Sequence, residues 1–284
     1  MINIYGKKGK AWLEELPELV ACLSLKLGLH NLKEITTLSY HYVLSGFQGN
    51  KPIILKLGLD HQTLNREAFA LKCFSGFGAI KLLSEDDGIL LLERAIPGIS
   101  LKTYFPDREQ EAIQIATKLM KKLHQANIPE HTNFPHIKDW LAALNKNSKI
   151  PRGYLQKAKK LRDHLLQTSK QDVLLHGDLH HDNILQNGDD WLVIDPKGVM
   201  GEPAYEVAAF IRNPMPNLLN INNVSEMIEN RIKLFANLLD IPVKRILNWC
   251  FVQAVLAWIW AIEDGCDTNY FEQLIKIFDN YLFQ

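Results

Sequence analysis

Apolar positions along the chain change their rhythm several times. Leu19, Val20, Leu23 and Leu27 recur at the spacing of one helical face, with Pro17 suited to the first turn and Gly28 to the end. Ile35 to Phe47 then reads as extended chain, and Gln48-Gly49-Asn50-Lys51 as a turn into a short strand, Ile53 to Leu57. Leu64 to Phe74 returns to a helix, and Ala79 to Leu83 with Ile89 to Leu92 suits a hairpin turning at Glu85-Asp86-Asp87-Gly88. After Pro97-Gly98 long helices dominate. Glu109 to Gln125 carries Ile113, Ala116, Met120 and Leu123 on one face, and a helix-rich tail runs to Gln284. The pattern predicts an α+β fold in two lobes: a strand-rich 1–95 and a larger, mainly helical 96–284, joined by Glu93 to Pro97.

One stretch interrupts the helical half. Leu174 to Asp195 reads LLHGDLHHDNILQNGDDWLVID: two apolar runs flank a loop with Asp178 and Asn183, and the second run ends on Asp195. An isolated Asp, an Asn five residues on, and an Asp closing the next strand form the layout of phosphoryl transfer. That reaction needs Mg²⁺ bound through oxygen, and Asn183 and Asp195 supply such oxygens. Asp178, left off the metal, can accept a proton from a substrate hydroxyl. Turn formation alone would explain HGD and DN singly, but not the full string with its flanking strands. His176, His180 and His181 lack a companion Cys cluster or an HExxH pattern, which favours bracing of the loop over zinc.

Upstream, the strand Ile53-Ile54-Leu55-Lys56 ends in Lys, and Glu67 follows eleven residues later in a helix. A Lys on the nucleotide phosphates, held by a helix Glu, is the other half of a kinase site. Leu92-Glu93-Arg94-Ala95 then suits a hinge whose backbone meets adenine.

Composition narrows the class further. The 284 residues are 47% apolar and 23% charged, ordinary for a globular enzyme, and Lys+Arg balance Asp+Glu at 32 each. That balance argues against a dedicated nucleic-acid binder. The scattered Cys22, Cys73, Cys250 and Cys266 read as free thiols of a reducing compartment. No apolar core follows the basic start, so no signal peptide is expected, and the apolar run Phe251 to Ile262 is too short for a bilayer. A cytoplasmic location without a membrane partner is the expectation.

The strings HGDLHHDNIL and IDPKGVMGEP resemble the aminoglycoside phosphotransferase branch of the protein-kinase-like superfamily. They are most similar to its streptomycin 6-kinase and hydroxyurea phosphotransferase group, which runs HGDLHxxNIL and IDPKGxxGE. The resemblance implies a five-stranded N-terminal lobe for the nucleotide and a C-terminal lobe for catalysis and acceptor. It also implies ATP-dependent phosphorylation of a small hydroxyl acceptor, with Asp178 as base, Asn183 and Asp195 on Mg²⁺, and Lys56 on the phosphates. Protein-kinase HRD, DFG and GxGxxG motifs are missing, so a protein substrate loses ground. Thr36 to His41 takes the phosphate-covering place, where the family commonly has Ser, making Ser39 a candidate. Lys197 either stabilises the transferring phosphoryl group or pairs with Glu202 or Glu206.

A cationic, hydroxyl-rich acceptor asks for carboxylates in the helical lobe. Gln253, Trp260 and Asp264 share one side of a helix, with Glu263 one turn from Trp260, and Glu202 and Glu206 follow Asp195. Tryptophans in an apolar helix equally suit a core. A sugar, amino alcohol or hydroxy amino acid is a rival acceptor, since the fold hosts many. A regulatory nucleotide-binding module without turnover is the rival from another class.

Overall fold

The computed structural model describes residues 2–35, 41–130, 132–146 and 148–282. Its first helix, α1 (Ile2–Leu27), begins well before Pro17 and bends at Gly6, where φ is 54°. Pro17 lies inside the helix, an unfavourable place because it withholds one backbone donor. The helix continues because its apolar stripe reaches back to Trp12 and Leu13. These residues, with Leu16, Leu19, Val20, Leu23 and Leu27, pack on Leu29, Leu44, Ile53, Leu55, Leu57 and Leu91.

That packing covers one face of an antiparallel sheet built from β1 (Leu29–Glu34), β2 (Tyr42–Gln48), β3 (Lys51–Leu57), β4 (Leu82–Asp86) and β5 (Ile89–Glu93), in the order β1-β2-β3-β5-β4. Of the extended run expected over Ile35 to Phe47, β2 takes Tyr42 onward and residues 36–40 lie outside the described residues, while a further strand, β1, precedes the run. His30, Asn31, Lys33 and Glu34 are exposed on β1, so its polarity hides it in the sequence. The β4–β5 hairpin turns at Asp87-Gly88, and Ala79, expected in its first strand, instead bridges Val193.

Helix α2 (His61–Cys73) covers the other face, its start capped by Asp60, which accepts the Thr63 N–H at 3.1 Å. Leu64, Ala68 and Leu71 meet Ile80, Leu90, Leu92 and Ala95, and this core also takes in Leu192 with Leu185 and Ile194. The two lobes thus share apolar packing as well as the connecting segment Arg94 to Ile96.

The second lobe begins with β6 (Pro97–Ser100), which pairs with β8 (Ile184–Asn187), which pairs in turn with β9 (Asp190–Val193). A second ribbon joins β7 (Val173–Leu175) to β10 (Val199–Gly201). The apolar runs flanking Asp178 and Asp195 therefore do not pair with each other. Around them stand α3 (Glu109–Leu123), α4 (Ile137–Leu141), α5 (Arg152–Gln167), α6 (Pro203–Ile211), α7 (Val224–Leu239), α8 (Val243–Glu263) and α9 (Asn269–Leu282). Helix α8 is long and apolar enough to cross a membrane, yet 83% of its apolar window is buried within the protein. Trp249 and Phe251 are wholly buried there, which makes it the central core helix of a bilobal α+β fold.

Burial strains one class of side chain. His181 is fully buried, stacks on Phe210 at 3.9 Å between ring centroids, and has no hydrogen-bond partner on either nitrogen among the described residues. Burial, helped by Arg231, holds its pKa well below the ordinary value. Burial likewise lowers His176 and His180, and brings His41 down to about 4. These rings bind protons in the unfolded chain at pH values where the folded chain refuses them, so stability rises with pH through that window. Calorimetry between pH 7.5 and 5.5 should therefore find Tm falling on acidification. His181→Phe keeps the stacking and removes two unpaired polar atoms, so Tm at neutral pH should rise by about 2–4 °C for each kcal/mol recovered. The acid-induced fall should also become shallower; an unchanged pH slope would count against this account.

Candidate active site

Strand alternation aims the first functional side chain. Ile53, Leu55 and Leu57 point to the α1 side of β3, so Lys56 points to the opposite face, toward α2. Glu67, three residues after Leu64 and beside Ala68, lies on the inner face of α2. Lys56 Nζ donates to both Glu67 oxygens, at 2.8 and 2.7 Å, and to Asp195 Oδ1 at 3.0 Å. Its side chain is 2% exposed. Burial alone would lower the lysine pKa, but the two carboxylates outweigh it and hold the ammonium charged.

Asp195 sits just past β9 with φ at 59°, a conformation that L residues rarely adopt and that is unusual before proline. Its buried position would raise the carboxyl, but Lys56 and Lys197 bring it down to about 2. Oδ1 is occupied by Lys56, leaving Oδ2 for another cation.

The Asp178 loop is fixed by a buried glutamate. Glu206 of α6, 1% exposed, accepts the backbone N–H of His176 at 2.7 Å and of Gly177 at 3.0 Å. His176 Nε2 donates to the Ile194 carbonyl at 2.7 Å, and its Nδ1 accepts the Asp178 N–H at 3.3 Å. Both bonds need the neutral Nε2–H form, which the burial-lowered pKa supplies. The Lys197 N–H donates to the His176 carbonyl at 2.7 Å, so the two polar loops are tied together twice. Gly177 is required by space as well as by its φ of 84°: a Cβ would come within 2.9 Å of Trp140 and Val199.

Asp178 Oδ1 lies 3.3 Å from Nη2 of Arg212, whose Nη1 donates to Gln253 Oε1 at 3.2 Å. Desolvation pushes the Asp178 carboxyl up, yet His180, Arg212 and Lys197 hold it below the ordinary value. Asn183 Nδ2 donates to the Asp178 carbonyl at 2.9 Å, which leaves Oδ1 to face elsewhere. Asn183 Oδ1 and Asp195 Oδ2 have no hydrogen-bond donor among the described residues and are hard oxygen ligands of the kind Mg²⁺ prefers. Among these residues no three His, Cys, Asp or Glu side chains converge as a metal group, so phosphate and water would have to complete the shell.

The other candidates divide clearly. At the hinge, the Glu93 N–H goes to Lys81 and the Arg94 N–H to Pro52, leaving Ala95 as the residue whose amide is not drawn into the sheet. Ser39 lies outside the described residues. Glu202 is not a cleft residue: it is 5% exposed, bonded to Arg245 at 2.9 Å and to the Trp249 indole N–H. Glu206 is likewise spent on the loop amides, and Gln253, 5% exposed, donates to the Tyr205 carbonyl while holding Arg212. Neither Glu202 nor Glu206 is left to pair with Lys197, whose charge instead acts on both Asp178 and Asp195. Trp260 is 37% exposed and meets Trp140 edge-on at 6.1 Å. Glu263 pairs with Lys146 at 2.7 Å, and Asp264 is exposed at the end of α8. Sequence reasoning missed Arg212; its only signal is a lone cation closing the apolar helix AAFI.

The sequence profile of the aminoglycoside/hydroxyurea antibiotic resistance kinase family matches residues 35–265. The streptomycin 3''-kinase of Klebsiella pneumoniae is 27% identical over 240 residues, covering 82% of this chain and 88% of the relative. The hydroxyurea phosphotransferase of Kitasatospora aureofaciens is 28% identical over 275 residues, covering 92% and 77%. The streptomycin 6-kinase of Streptomyces griseus is 24% identical over 276 residues, covering 92% and 87%. In fold, the chain is similar to choline kinase LicA from Streptococcus pneumoniae, with a TM-score of 0.70 at 14% identity over 94% of this chain and 100% of that one. It is also similar to aminoglycoside phosphotransferase APH(4)-Ia in complex with ADP and hygromycin B, with a TM-score of 0.68 at 15% identity over 92% and 96%.

The charge around Asp178 is open to direct measurement. A carbon-detected NMR titration should find its carboxyl below the ordinary Asp value of about 3.9. Arg212→Met removes one of the cations responsible and should move the midpoint upward. A midpoint that stays in place would show that Arg212 has no electrostatic hold on Asp178.

Proposed function

The chain belongs to the aminoglycoside/hydroxyurea antibiotic resistance kinase family, and we propose that it transfers the γ-phosphate of ATP to a hydroxyl of a streptomycin-like aminocyclitol or of hydroxyurea, inactivating the drug. The observation that carries this reading is the stitching of two half-sites into one. The Lys56–Glu67–Asp195 triad and the Asp178–Asn183 loop are tied through His176, Ile194 and Lys197. Relatives named for streptomycin and hydroxyurea, spanning most of this chain, support the acceptor class.

Each residue then has a task in the transfer. Residues 1–95 form the nucleotide lobe, with the Glu93–Ala95 hinge at the adenine and Lys56 at the phosphates. Residues 96–284 form the catalytic and acceptor lobe. Asn183 and Asp195 would hold Mg²⁺, and its charge would neutralise the phosphate oxygens. Asp178, ionised at neutral pH, orients the acceptor hydroxyl and takes its proton as the new O–P bond forms and the bond to the ADP oxygen breaks. Lys197 adds positive charge between Asp178 and Asp195, where the phosphoryl group passes. Trp260, Glu263 and Asp264 line the acceptor side, an aromatic face and carboxylates suited to a cationic, hydroxyl-rich molecule. The reaction is cytoplasmic, where ATP is available.

The test is an acceptor screen that includes streptomycin and hydroxyurea, reading Mg²⁺-dependent ADP formation and the mass of the phosphorylated product. Asp178→Ala should lower kcat by roughly 10²–10⁴ while ATP binding is largely kept; an unaffected rate rules it out as the base. Lys197→Met should cut kcat by at least about tenfold, and a near-normal kcat would remove the role given to Lys197.

A further inference from the structure

The turn that bears Arg212 is fastened from two helices that supply nothing to the cleft. Arg212 follows the last residue of α6, where carbonyls lose their intrahelical partners. Four consecutive carbonyls here receive side-chain donors. Arg231 of α7 gives Nη1 to the Phe210 carbonyl at 3.5 Å, to the Ile211 carbonyl at 3.0 Å and to the Asn213 carbonyl at 2.5 Å. Tyr270, next to the start of α9, gives its hydroxyl to the Arg212 carbonyl itself at 2.5 Å.

Arg231 is an expensive cap. It is 1% exposed, and Glu109 Oε2 at 2.6 Å balances its charge. Its guanidinium carbon lies 5.6 Å from the Phe105 ring centre and 5.9 Å from that of Phe210. Ending a helix needs only a glycine or water, whereas burying an ion pair strips hydration from both charges before their attraction is counted. What this cap adds is a fixed direction for Arg212. From the held turn, the Arg212 guanidinium reaches Asp178 with one nitrogen and Gln253 with the other.

We propose that Tyr270 and Arg231 are positioning residues for phosphoryl transfer, acting on Asp178 only through the aim of Arg212. This rests on the reading of Asp178 as the base. A shift of about 1 Å at a reacting group costs on the order of 10²-fold in rate, so a tether of this kind is worth a measurable factor.

Tyr270→Phe deletes one hydroxyl and leaves the ring in its place. Measured per nucleotide-binding site, its kcat should fall roughly threefold to tenfold with KM for ATP unchanged. In an Arg212→Met background the same change should have no further effect, because the tether then has nothing to aim. An equal fall in both backgrounds, a fall confined to KM, or no fall overturns the proposal. Arg231→Lys, which keeps the charge but loses the fork, should repeat the pattern. NMR relaxation of the Arg212 Nε–Hε group supplies a readout free of any acceptor: its order parameter should drop in Tyr270→Phe, and an unchanged value overturns the tether. Should no acceptor be turned over by the unsubstituted protein, the kinase reading fails there, while the relaxation result still decides the tether.

Discussion

A lysine ammonium that is 2% exposed governs this architecture. Removing an ammonium from water costs several kcal/mol, and close, well-aligned carboxylates are what offset it. One partner, Glu67, comes from the same lobe, on a helix packed over the sheet. The other, Asp195, comes from across the cleft. Because Lys56 needs both, the two lobes have a defined separation at this point, reinforced by the apolar contacts of Leu192, Leu185 and Ile194 with the α2 core. A nucleotide entering the site would meet a lysine already charged and already aimed.

The same logic extends into the loop of Asp178. Glu206 is a buried carboxylate with no lysine or arginine within salt-bridge distance among the described residues; two backbone N–H groups and a histidine 3.8 Å away take that place. Charge-assisted bonds of this kind are about twice as strong as neutral ones, which suits a loop containing a glycine with positive φ and a residue that must not drift. His176 then links this loop to Ile194, one residue before Asp195. The left-handed Asp195 is tolerated because its flanks are tied on both sides, by His176 to Ile194 and by Lys197 to His176.

How legible this was depends on where each side chain points. Helices α2 and α3 and strand β3 were readable because an apolar stripe or run marks them. Strand β1 was not, since its exposed edge is polar, and the four-residue β6 contains a proline and a glycine that usually mean loop. The start of α1 was obscured by Pro17, a local signal overruled by the stripe from Trp12 onward. The HGD and IDP strings marked the residues that the fold brings together. The sequence could not separate carboxylates aimed at a cleft from those aimed at backbone, so Glu202 and Glu206 read as acceptor ligands although they are internal braces. Arg212 and Arg231 look in the sequence like any surface cation; only tertiary structure reveals that each holds a carbonyl, a carboxylate or both.

The two halves of the proposed reaction are thus built to different tolerances. At the transfer centre Lys56, His176 and Glu206 are buried with more than one polar partner each, and Glu67 gives both its oxygens to Lys56, so a substitution there disturbs several bonds at once. On the proposed acceptor side Trp260, Glu263 and Asp264 sit at the exposed end of α8, where Glu263 makes a solvated ion pair to Lys146. Solvated pairs contribute little to stability, so this rim can change without unfolding the protein. Relatives named for streptomycin and for hydroxyurea, at 24–28% identity over most of the chain, fit that division. Under the proposed function, a rigid transfer centre with a replaceable rim would let one scaffold meet unlike acceptors.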